Sequence, residues 1–311
     1  MPSRNCATAN ATTDSASDDK TAVHCERRVQ QKLSEHCADR YLPGNYLWLM
    51  SLPTPGTNKL QVLRAVEDGW QAFCRAPWAF LLFQVLVTMI LVPFGGLALV
   101  GLVQLIDLLQ LNSGELPVLH PVAAGIAAVL GVIGCVIVGL WGVVGITRGA
   151  WISLNGQRPS FRDFSRWDGA ASGRLFGSAI LLTIALAVVG VLAALINTGL
   201  SALNTTLTVI PVIVFGIFYI WFLMSQKFLL QLSLFGVKRP VQTIQAGVSG
   251  VNPSWWVVLW LAIVESVIHA LATLFSYGGL FVIFPVVICI STAAYRQLFG
   301  SQDHTGILNN G

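Results

Sequence analysis

The chain has 311 residues, of which 55% are hydrophobic and only 10% are Asp, Glu, Lys or Arg. Soluble domains hold about 25% charged residues because their surface faces water, so this composition excludes an ordinary soluble domain and names lipid as the second solvent. The formal net charge of +4 is modest and unevenly spread, which argues against a nucleic-acid partner.

Residues 1–58 are polar and rich in Ser, Thr, Asp and Ala. They lack the run of about 7–15 apolar residues that a secretory core needs, and their first part is expected to be disordered because it has little to bury. Met50-Ser51-Leu52-Pro53-Thr54-Pro55-Gly56 opens a second beginning, so the residues before it are expected to be a translated upstream extension. His24-Cys25 and His36-Cys37 offer four zinc-binding side chains, but their spacing matches no common zinc module. No metal or cofactor is expected. The six cysteines lie in cytoplasmic or membrane segments, where disulfides are not expected.

From residue 59 to 300 the chain predicts an all-α, polytopic membrane helix bundle of about six transmembrane helices plus interfacial helices, with residues 301–311 as a short tail. A crossing helix needs about 20 apolar residues, and such runs cover 77–96, 118–147, 171–197, 207–230, 254–275 and 278–298. The first apolar stretch continues from Pro77 to Gln110, near 50 Å as one helix. Pro93, Gly95 and Gly96 predict a break there, leaving 97–110 as a helix in the outer interface with Gln104, Asp107 and Gln110 as its polar stripe. Residues 59–74, with Leu60, Leu63, Val66 and Trp70 on one side, and 240–251 predict surface helices that lead into spans.

Charge sets the orientation. Nine Lys and Arg precede the first span, five fall at 148–174, three at 227–239, and the last is Arg296, while the connections 111–117, 198–206 and 276–277 hold none. Cytoplasmic loops are enriched in Lys and Arg, so charged and uncharged connections alternate as six crossings require, with both termini cytoplasmic in a plasma or thylakoid membrane. Trp70, Trp78, Trp151, Trp167, Trp255 and Trp256 fall where spans meet that inner surface.

Within the spans, Gly131, Cys135, Gly139, Gly142, Gly145 and Gly149 form a small stripe suited to close helix packing. Pro211 and Pro285 are expected to interrupt spans four and six. Span five carries the one chemical candidate: Glu265, Ser266 and His269 recur at helical spacing among Ala262, Ala272, Thr273 and Ser276. An intramembrane carboxylate needs a partner or a proton, and His269 lies one turn away. This pair suggests proton relay or ligand binding, with helix-to-helix hydrogen bonding as the alternative. On the cytoplasmic side, Arg148, Arg158, Arg162, Arg166 and Arg174 with Trp151 and Trp167 suit anionic lipid headgroups or a membrane-protein partner, with topology control as the alternative. Gly247-Val248-Ser249-Gly250 resembles the tetrad of intramembrane rhomboid proteases, but it precedes a span on a polar connection. No catalytic residue and no enzyme activity is expected.

The Gly156-Gln157-Arg158-Pro159-Ser160-Phe161 loop after a glycine-rich span resembles uncharacterised six-span bacterial membrane proteins. These are the YciC-like group and the membrane domain attached to some glycerophosphodiester phosphodiesterases. Asn252-Pro253-Ser254-Trp255-Trp256 and Pro285 … Ala294-Tyr295-Arg296-Gln297-Leu298-Phe299-Gly300 fit the same group, and Trp167-Asp168-Gly169 resembles its cyanobacterial members. The resemblance covers about residues 60–300; it implies architecture and transfers no active site. The expected function is membrane organisation, assembly or envelope maintenance, with a small proton-coupled transporter using Glu265 and His269 as the alternative.

Overall fold

The computed structural model describes residues 60–110, 120–275 and 277–308. The N-terminal tail, the His-Cys dipeptides and the 111–117 connection lie outside them. Every regular element among the described residues is helical. Five helices are long and apolar enough to cross a membrane, and six if a pair bent by 43° counts as one span.

The first helix, α1 (Val62–Arg75), buries Val62, Ala65, Gly69, Ala72 and Phe73. Leu60 is buried as expected, but Leu63 and Trp70 point outward. Small residues won this face because it packs closely on the last helix: a Cβ at Gly69 would lie 2.6 Å from the backbone of Ile290.

Helix α2 (Pro77–Gln110) runs unbroken through Pro93, which corrects the expected division at that residue. A proline costs a helix one hydrogen bond and some crowding; here the neighbouring helix α3 (Pro121–Leu154) splints both halves. Gly101 of α2 meets Ala124 and Ala128 of α3, and Gly131, Gly134, Gly142 and Gly145 of α3 meet Ala98, Phe94, Val87 and Phe83. Numbers rise on α3 as they fall on α2, so the two form one antiparallel hairpin in a single register. The expected small stripe is therefore a packing seam, with one change of membership. Gly134 belongs to it, whereas Gly139 faces open space.

The seam yields a paired prediction. Gly131→Ala drives a methyl into the backbone of Ala98 and destabilises by roughly 1–3 kcal/mol, as overpacking does. Gly139→Ala meets nothing within 4 Å and gains helix propensity of roughly 0.5–1 kcal/mol. Thermal midpoints of the two variants in one detergent should therefore move in opposite directions.

The connection after α3 holds α4 (Phe161–Ser165), started where the Asp163 carboxylate accepts from the backbone N–H and hydroxyl of Ser160 at 2.7 and 2.8 Å. Phe164 wedges between Phe80 and Phe83, with ring centroids 4.8 and 5.6 Å away, and fills the space left by Gly145 and Gly149. Helix α5 (Gly169–Leu203) is capped by Asp168, which accepts from the Ala171 N–H at 2.9 Å.

Helix α6 (Val209–Ser225) carries Pro211 in its first turn, where no intrahelical N–H is lost. The break in this span lies instead after Ser225. It leads into α7, Leu229–Gln231 continuing as a π-helical turn Leu232–Gly236, at 43° to α6. Helix α8 (Pro240–Val251) and a 3₁₀ turn, Asn252–Ser254, lead into α9 (Trp255–Phe275). Helix α10 (Tyr277–Phe299) stays continuous through Pro285, again without the expected interruption.

Candidate functional site

Glu265 lies midway along α9 and is 3% exposed. Its Oε2 is 2.5 Å from Nζ of Lys227, in the break between α6 and α7, and its Oε1 accepts from the Ser291 hydroxyl of α10 at 2.8 Å. Three elements thus converge on one carboxylate. Lys227 is 25% exposed, so the pair is closed on the Glu side and half-open on the Lys side.

His269 is not the partner of that carboxylate. Its Nδ1 lies 2.9 Å from the Glu265 backbone carbonyl, one turn back on the same helix. Ser266 and Thr273 are exposed, and their hydroxyls donate to Ala262 and Ala270 at 2.7 and 2.8 Å. The polar face expected on span five therefore divides: Glu265 faces the neighbouring helices, while its companions bond their own helix. Lys227 and Ser291 carried little signal in sequence. Lys227 counted only as a flanking charge; the one hint was that a buried carboxylate must find a partner.

The arginines divide in the same way. Arg148 is 2% exposed. Its Nη1 donates to the carbonyls of Asp163 and Arg166 at 3.2 and 3.0 Å, and Nη2 stands 3.7 Å from the Asp168 carboxylate, an ion pair beyond hydrogen-bonding reach. Arg166 donates to the Ile307 carbonyl at 2.9 Å, Arg174 to Ser233 at 3.2 Å, and Arg75 to Ser153. Arg296 lies over the Trp151 ring, 5.2 Å from its centroid. Helix C-termini leave carbonyls without intrahelical donors, and several of these guanidiniums fill that need. Arg148 is thus an internal brace and cannot face a headgroup, which corrects the expectation for that residue. Only Arg158 and Arg162 of the five are exposed.

The π-helical turn shows the same logic. Carbonyls of Ser233, Leu234 and Phe235 accept from Arg174 Nε, Thr305 Oγ1 and His304 N. The tail is folded for this by Asp303, which accepts from Thr305, Gly306 and Leu308 N–H groups at 2.9–3.0 Å, and Ile307 is buried. Beneath it Trp151 stacks on Phe235 at 4.1 Å, and Tyr295 stacks on Phe299 at 5.0 Å. Asp303→Ala leaves three N–H groups without this acceptor. It should make the tail a site of rapid limited proteolysis while the helical hairpins stay resistant; equal resistance to wild type would refute the clasp.

Ser249 of the rhomboid-like tetrad lies within α8 and donates to Ala246 at 3.3 Å. Gly247 and Gly250 make room for Gln226 and Phe299. That tetrad is a packing element.

No protein family, curated protein or solved structure matches the chain.

Proposed function

We propose that this chain is a non-enzymatic integral membrane protein that organises its membrane or assembles with partners there, with both termini on the cytoplasmic side. One observation carries the reading: the polar side chains at the centre of α9, where the chemical candidate lies, are committed to the fold. Glu265 is held by Lys227 and Ser291, and Ser266, Thr273 and His269 bond their own helix. The most apolar 18-residue stretch of α5 has no buried residue, so lipid or a partner helix is the surface it suits.

The continuous α2 also moves the proposed crossing outward. Beyond the exposed Trp78, an interfacial type of residue, its exposed apolar residues run from Leu82 to Ile106, about 36 Å at the helical rise, which suits a tilted helix in a core of roughly 30 Å. The layer built by Arg75, Arg148, Arg166, Arg174 and Arg296 supports a cytoplasmic assignment for the opposite end of the hairpin. A reporter fused at Ser201 should accordingly read outside; a cytoplasmic signal there would overturn the orientation.

The experiment is purification from native membranes in mild detergent, alongside a deletion strain profiled for lipids. A stoichiometric membrane partner or a changed lipid profile is expected; an unchanged profile with a solitary chain overturns the reading. A second reading, a small proton-coupled transporter, is favoured by one feature, the 43° break beside Lys227 and Glu265, because transporter sites form at discontinuous helices. Proton-coupled flux in proteoliposomes that is lost on Glu265→Gln would replace the scaffold reading with this one.

A further inference from the structure

Two guanidiniums of the α3–α5 connection remain outside the internal bracing. Arg158 and Arg162 are exposed and neither guanidinium has a carboxylate or carbonyl partner among the described residues. The acids beside them are occupied. Asp163 holds the N–H and hydroxyl of Ser160, and Asp168 holds the Ala171 N–H and faces Arg148. The caps that build α4 and α5 thus hold both carboxylates away from these guanidiniums, and five arginines against two aspartates leave residues 148–174 net positive.

Their placement is also specific. Phe161 lies between them in sequence, is 43% exposed, and has its ring centroid 6.2 Å from that of Phe83 on α2. Trp141 of α3 donates from Nε1 to the Ser165 carbonyl at 2.9 Å. These contacts fix α4 against the side of the hairpin, at the level where its outward apolar face begins. On α2 that face is Trp78, 75% exposed, followed at helical spacing by Leu82, Val85, Met89 and Val92, all exposed. Helix α2 has no charged residue between Trp78 and Ile106, nor has α3 between Pro121 and Thr147.

We infer that Arg158 and Arg162 form a docking site for the phosphates of anionic phospholipids, with Phe161 and Trp78 seated among the headgroups at the foot of the hairpin. The inference rests on the membrane reading above and narrows five arginines to two. A guanidinium pairs with phosphate through two parallel N–H donors, the Trp78 indole with its one N–H favours the headgroup level, and the exposed Phe161 ring offers apolar contact beside it. The occupant is lipid rather than an acidic peptide because the two cations flank Phe161, which packs on Phe83 in the turns of α2 where the exposed apolar face begins with Trp78 and Leu82.

The test uses the purified full chain, titrated with phosphatidylglycerol and phosphatidylcholine of the same acyl chains and read by native mass spectrometry. Wild type should carry phosphatidylglycerol in preference. Arg158→Gln/Arg162→Gln should lose roughly fivefold in that preference for each guanidinium removed. Arg64→Gln/Lys238→Gln removes the same net charge from exposed positions elsewhere and should leave most of it. Equal loss in both double variants, no preference in wild type, or displacement by millimolar inorganic phosphate or by poly-glutamate would each overturn the lipid site. Because lipid adducts are read on the isolated chain, that failure leaves the scaffold reading standing. Failure to find a membrane partner leaves the lipid measurement standing in turn.

Discussion

Arg148→Ala should lower the stability of the purified chain by about 3–5 kcal/mol, the range seen when one member of a buried ion pair is removed. Arg158→Ala and Arg162→Ala should each change it by less than about 0.5 kcal/mol, as exposed substitutions do. The difference follows from what each side chain touches. Arg148 is 2% exposed and serves the Asp163 and Arg166 carbonyls and the Asp168 carboxylate. Truncation takes this donor from both carbonyls and the cation from Asp168, in a layer sealed by Phe164 and Trp151, both buried. Asp168 also caps α5, so the loss reaches the start of the longest helix. Arg148→Lys keeps the charge but not the fork that reaches two carbonyls at once, and should recover only part of the loss. Thermal midpoints of the four variants in one detergent decide the matter. Should Arg148→Ala melt with the two exposed variants, the connection is not an interlock.

The second large effect concerns Lys227 and Glu265. Lys227→Met should cost about 3–5 kcal/mol, because it leaves a carboxylate that is 3% exposed with a single hydroxyl donor. Glu265→Gln should cost less, since Lys227 can turn toward solvent from its 25% exposed position and Gln can still accept from Ser291. The double variant Lys227→Met/Glu265→Gln is the informative one. Replacing a buried ion pair by groups of similar volume is often neutral, so it should recover at least about 2 kcal/mol relative to the sum of the single changes. His269→Ala should fall within about 1 kcal/mol of wild type, because it loses only a bond to its own helix. Additive single effects, or a large loss at His269 with none at Lys227, would restore the pair first expected on span five.

These results bear on what kind of protein this is. A carboxylate pinned by a lysine and a serine from two other elements holds α9 and α10 against the break after α6. The break is then a braced corner, consistent with a scaffold. If the same pair opened during a transport cycle, the double variant would be stable and inactive in flux.

How much of this was legible beforehand depended on how local the controlling physics was. Hydropathy and spacing predicted the helical class, the approximate ends of the long helices other than the far end of α2, and the leading helices at Val62–Arg75 and Pro240–Val251. These features depend on the chemistry of residues within a few turns of each other. The small stripe on α3 was legible for the same reason, although its membership was not. Gly134 and Gly139 are alike in sequence, and only the approach of Phe94 tells them apart. Pro93, Gly95 and Gly96 misled because they are local arguments against a helix, while the whole length of α3 argues for one.

Hydropathy and charge placement were enough to make this chain a bundle of apolar helices with its charge at particular connections, and to require a partner for Glu265. Which groups answer it depends on long-range packing. Lys227 and Ser291 are 38 and 26 residues away in the chain, and such a meeting is set by the bend after Ser225 and the packing of three helices. The tertiary packing likewise decided that Arg148 is a brace and Arg158 a surface group. Both are cations on the same connection, and burial, which divides them, is a property of neighbours that no stretch of sequence contains.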